Sequence, residues 1–62
     1  MNQKHVVINV TCNTYVKSYD RKGLSETSRV LEAKRYKNFK KAAGVALKLS
    51  DEDCTYKAVE LN

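Results

Sequence analysis

The chain has 62 residues, 42% of them apolar and 31% charged, with twelve Lys and Arg against seven Asp and Glu for a net charge of +5. One domain of this size buries only about 60% of the surface its unfolded chain exposes, which argues against a deep catalytic cleft with its own supporting shell. No apolar run reaches the length of a membrane span. The opening MNQKHVVINV lacks a signal peptide's long apolar region and small-residue cleavage site, so a cytoplasmic protein is expected, in the host cytoplasm if the source is viral.

From Val6 to Val16 the even positions read Val6, Ile8, Val10, Cys12, Thr14 and Val16, with Asn9, Thr11, Asn13 and Lys17 falling between them or just beyond. Alternation with period two among β-branched residues predicts a half-buried strand over 6–18. Its even face, with Ile8 and Val10, is expected under the helix described below. Val7, Asn9, Thr11, Asn13, Tyr15 and Tyr19 are expected on the open face. YDRKGL, residues 19–24, has an Asp to open a turn and a Gly able to take positive φ, which predicts a hairpin closed by a G1 bulge. A second strand is predicted over 25–37. Its apolar residues change parity between Val30 and Leu31/Ala33, which leaves its register open, and a bulge would reconcile them.

Asn38 is a good N-cap for a helix predicted over 39–49. At about 100° per residue, Phe39, Ala42, Ala43, Val45, Ala46, Leu47 and Leu49 form one wide apolar face, and Lys37, Lys40, Lys41, Gly44 and Lys48 lie opposite. After SDED, a third strand is predicted over 54–61. The order ββαβ lets the helix cross over the hairpin and set strand three beside strand one. The expected fold is α+β, a three-stranded antiparallel sheet in order 2-1-3 with one helix packed on one face. One open face and two unprotected edges make a homodimer an expectation as well.

The residue set argues against an enzyme. Nucleophilic catalysis needs a base beside the nucleophile, and the single histidine, His5, sits near a terminus and is expected as a surface residue. Phosphate-cradling loops need clustered glycines, whereas Gly23 and Gly44 are far apart. Asp51 and Asp53 read as a solvated turn, and two carboxylates alone make a poor metal site. His5 and Cys12 have opposite parity on one strand and cannot converge on zinc. Cys12 and Cys54 form no CxxC pair and are expected as free thiols, with Cys54 neighbouring Cys12. No cofactor is implied.

Charge placement is the more informative feature. Lys37, Lys40 and Lys41 crowd the start of the helix and Asp51, Glu52 and Asp53 follow its end, the reverse of what the helix dipole favours by roughly 0.3–1 kcal/mol per end-turn charge. Lys34, Arg35, Lys37, Lys40, Lys41 and Lys48 are six of the twelve basic residues within fifteen positions. Exposed lysines are also ordinary solubilising residues, weakly coupled to a screened dipole. Gly44, on the same side, costs roughly 1 kcal/mol against Ala in a helix and would let a partner approach the backbone. Tyr15, Lys17 and Tyr19 share one expected strand face and form a secondary candidate surface for stacking.

The expectation is a non-catalytic binding protein. It docks the Lys-rich helix face on an acidic surface of a partner protein and so inhibits or modulates a nucleic-acid-handling enzyme or regulator. Short, proline-free, containing Lys, Asn and Tyr and lacking a catalytic set, the chain is similar in style to the small accessory proteins of bacteriophages and mobile elements. The alternative is a direct DNA- or RNA-binding regulator that places the same lysines on phosphates.

Overall fold

A computed structural model describes residues 4–61. Four strands and one helix follow the chain as β1 (His5–Asn9), β2 (Thr14–Asp20), β3 (Gly23–Thr27), α1 (Phe39–Leu49) and β4 (Tyr56–Glu60), with a 3₁₀ turn at Val30–Glu32. The α+β class holds, but the sheet has four antiparallel strands in order β3-β2-β1-β4 rather than three in order 2-1-3.

The extra strand comes from a turn inside the segment expected to be continuous over 6–18. Asn9 Oδ1 accepts the Cys12 N–H at 3.1 Å, and Asn13 takes φ +59°, a left-handed conformation that asparagine tolerates better than most residues. The period-two pattern runs through this turn without a break, which hides it. Val10 is consequently 49% exposed. The next turn falls where expected: Asp20 accepts the Lys22 N–H at 2.9 Å and Gly23 takes φ +124°, but Asp20 pairs directly with Gly23, and the bulge of this hairpin lies between Val16 and Ser18 instead of at the turn.

The expected second strand over 25–37 ends at Thr27. The Arg29 N–H bonds the Thr27 hydroxyl at 3.1 Å, and Glu32 and Ala33 turn back onto Arg29 and Val30. The parity change therefore marks where the chain leaves the sheet, not a bulge within the strand. The segment then returns to it. The Lys34 N–H donates to the Val16 carbonyl at 2.9 Å, and Tyr36 exchanges bonds with His5 at 2.7 and 3.4 Å. Residues 34–36 thus lie between β2 and the start of β1, where that hairpin opens.

Parity on β1 is also the reverse of that expected. Val7 pairs with Ala58 and Asn9 with Tyr56, and the main core joins Val7, Val16, Tyr36, Ala42, Ala46 and Tyr56, with Val45, Leu49, Cys54 and Ala58 packed on it. Val7 and Asn9, not Ile8 and Val10, therefore share the face that α1 covers. Val6 alternates to the other face yet is fully buried, as is Ala33 nearly so, both outside that cluster. The second face is not bare.

Asn38 caps α1 as expected, its Oδ1 accepting the Lys41 N–H at 2.9 Å. The crossover through α1 does set the last strand beside the first. In SDED, Asp51 holds the turn by accepting the N–H groups of Asp53 and Cys54 at 2.9 and 2.8 Å.

Candidate docking side of the helix

α1 packs on β1 and β4, and β4 is the last strand of the sheet on that side. A sheet edge is narrower than the helix's apolar face, so only part of that face is covered. Ala42 and Ala46 are buried, with Val45 and Leu49 half-buried beside them. Phe39, Ala43 and Leu47, one turn apart along the helix, overhang the edge, with Phe39 57% and Leu47 79% exposed. Between this row and β4 lies a groove of about 340 Å³ whose floor includes Ala46, Tyr56 and Ala58. The expectation that all seven apolar helix residues face inward fails for Phe39 and Leu47.

The cations border this row. Leu47 stands two turns beyond Lys40 on nearly the same line of the helix. Lys41 and Lys48 continue around the solvent side, with Gly44 between them and Lys40. All four lysines of this stretch, Lys37, Lys40, Lys41 and Lys48, are exposed. A Cβ added at Gly44 would meet nothing within 4 Å, so the glycine answers no packing need of this chain. Lys34 and Arg35 project from the segment pinned between β1 and β2, and the Lys34 ammonium lies 5.7 Å from the centre of the Tyr36 ring. Among the described residues, the ion pairs are Lys17–Glu32 at 3.9 Å and Arg29–Glu32 at 3.8 Å, so none of these six cations has a carboxylate partner.

The secondary candidates separate. Tyr15 pairs with Thr27 and Tyr19 with Leu24, across a register shift between Val16 and Ser18. The shift breaks the alternation on which a shared face for Tyr15, Lys17 and Tyr19 depended. Lys17 is engaged by Glu32.

Two polar arrangements carried no sequence signal. On the face shared with Val7, Glu26 of β3 accepts from the Thr14 hydroxyl, from Asn9 Nδ2 at 3.3 Å and from the Tyr56 hydroxyl at 2.6 Å. Burial pushes the Glu26 carboxyl up, but the three hydrogen bonds outweigh it and hold the group below its ordinary range. Burial, then the bond to that carboxylate, pushes the Tyr56 phenol up. The second arrangement is Ser50, whose hydroxyl accepts the Tyr56 N–H at 2.8 Å and donates to the Tyr56 carbonyl at 3.3 Å. Such contacts join positions far apart in the chain, and no local pattern encodes them.

His5 is a strand residue rather than a frayed surface one. It packs edge-on to Phe39 at 6.1 Å between ring centres, with Nδ1 buried and unpartnered. Among the described residues no three His, Cys, Asp or Glu side chains are placed to hold a metal, and no helix is long and apolar enough to cross a membrane. Comparison of the chain with protein-family models, with curated proteins and with solved structures finds no match.

Proposed function

We propose that this protein is a non-catalytic binding module, working in the cytoplasm, that docks the outer side of α1 on an acidic surface of a partner protein. The observation that carries this reading is the juxtaposition of unpaired lysines with the exposed Phe39 and Leu47. Apolar side chains beside free cations suit a protein surface, where aromatic anchors supply affinity and charge supplies steering and register. Phosphate backbones would use the lysines and leave the apolar row in water. The expected partner class, a nucleic-acid-handling enzyme or regulator, is what a capture experiment should identify.

The test compares two charge-reversed variants as bait in bacterial lysate, with and without nuclease. One changes Lys37, Lys40 and Lys41 to Glu. The other changes the remote Lys4, Arg21 and Lys22 to Glu. Each lowers the net charge by six, from +5 to −1. The helix variant should fold normally and lose the captured protein, while the remote variant keeps it. Equal loss in both would reduce the effect to diffuse charge. Capture abolished by nuclease, with log affinity falling by about 0.9 per phosphate against log salt, would establish the nucleic-acid alternative instead.

A further inference from the structure

The outer edge of β4 is partly closed by the protein itself. The Val10 N–H donates to the Thr55 carbonyl at 2.8 Å and the Leu61 N–H to the Lys4 carbonyl at 2.7 Å. Residues 55, 57, 59 and 61 therefore turn their backbone groups toward β1, and Tyr56, Ala58 and Glu60 turn theirs outward. Ser50 satisfies both groups of Tyr56. Ala58 and Glu60 are left with a short open edge, and it runs along the groove beneath Phe39 and Leu47.

We propose that this edge and groove bind an extended segment of a partner protein in which apolar and acidic residues alternate. The segment adds as a strand to β4 at Ala58 and Glu60. It seats its apolar side chains between the Phe39–Leu47 row and Ala58, and sets its carboxylates, which alternate to the opposite face of the sheet, beside Lys57. The inference rests on the docking side proposed above and specifies what occupies it.

Charge complementarity selects the occupant. Lys57 pairs with Ile8, which turns the Lys57 side chain to the face opposite α1, where it is exposed and has no carboxylate partner among the described residues. Glu60 shares the helix-side face with Ala58 and disfavours acid there, so the segment's carboxylates belong on the Lys57 face. A second copy pairing edge to edge would offer Lys57 only Thr55, Lys57, Val59 and Leu61 on that face, with no carboxylate among them. Nucleic acid offers no peptide groups to the open edge. Strand addition supplies both affinity through the main chain and selectivity through alternate side chains.

The test uses the peptide acetyl-Glu-Val-Glu-Val-Thr-Val-amide and its counterpart with both Glu replaced by Lys, each titrated into the isotope-labelled full chain. The acidic peptide should shift the Ala58 and Glu60 amides together with Phe39 and Leu47, and slow hydrogen exchange at those two amides by about fivefold or more. The basic peptide should bind about tenfold more weakly, and Lys57→Glu should reverse that preference. Shifts confined to lysines with no slowed exchange, or no response at millimolar peptide, would overturn strand addition. So would protection of Ala58 and Glu60 that grows with protein concentration alone, since a second copy would then own the edge. A lysate partner lost only in the helix variant, without protection at Ala58 and Glu60, would leave the docking side standing and reject this occupant.

Discussion

Glu26 accepts a hydrogen bond from the Tyr56 hydroxyl at 2.6 Å, joining the two outermost strands of the sheet over the two strands between them. Thr14 of β2 and Asn9 of β1 donate to the same carboxylate, so one side chain ties all four strands. Asn9 is only 1% exposed, and a buried amide left unpaired would cost roughly 1–3 kcal/mol. Tyr56→Phe should therefore destabilise the fold by about 1.5–3 kcal/mol in urea melts at neutral pH, the range for a bond to a charged acceptor.

The pH dependence follows from the same belt. The folded Glu26 carboxyl lies below its ordinary value of 4.5, so the unfolded chain binds more protons near that pH. Its contribution is complete above pH 4.5 and is lost as the pH falls toward the folded value. Tyr56, raised above 10.0, contributes stability that is complete below pH 10 and is lost as the pH climbs toward its folded value. As the pH is lowered from 6 to 3, urea midpoints should fall more steeply for the natural protein than for Glu26→Gln.

Core placement separates the neighbouring Val7 and Ile8. Val7 is fully buried against α1, and Ile8 is half-buried on the other face. Val7→Ala should cost about 2 kcal/mol, from lost burial and a residual cavity, and Ile8→Ala less despite removing more carbon. A larger loss at Ile8 in thermal melts would put the helix on the even face.

Gly44→Ala should raise stability by about 0.5–1 kcal/mol, since the added methyl meets open space in a helical backbone. If the same variant weakens partner capture, the glycine marks where the partner's surface closes on the helix.

Cys12 is exposed and Cys54 half-buried, and both are free. A hydrogen bond with Asn9 pulls the Cys54 thiol down, but burial, the adjacent Cys12 and the charge of Asp51 outweigh it and leave it raised. An aromatic disulfide reagent at pH 8 should label Cys12 first and Cys54 much more slowly. Equal rates would contradict that placement.

The helix and its cap were legible in the sequence because their signals are local: Asn38 at the boundary, an apolar stripe, and lysines grouped opposite. The 20–23 turn was legible for the same reason. Asn9 and Asn13 carried the missed turn, but alternation on both sides made them look like the polar half of one strand. That slip moved Val7 to the wrong face, since a period of two reverses every side chain when the register is misread. The lysines stood where the sequence placed them. The exposure of Phe39 and Leu47 depends on where the sheet stops, and the width of a sheet is not written in the helix.

The insertion of residues 34–36 between β1 and β2 bears on the order in which the molecule assembles. At the turn end the hairpin closes on itself through Ile8–Tyr15 and Asn9–Thr14. At the other end His5 and Val16 are bonded instead to Tyr36 and Lys34, which follow them by 31 and 18 residues in the chain. A hairpin that zipped to full length early would have to reopen before that stretch could enter. The turn-proximal rungs can form at once, but the distal half of β1 waits until the chain has travelled around β3 and come back. The free end of the hairpin thus cannot close on its own, and the lysines that lead into α1 are held where they are only once residues 34–36 have entered it.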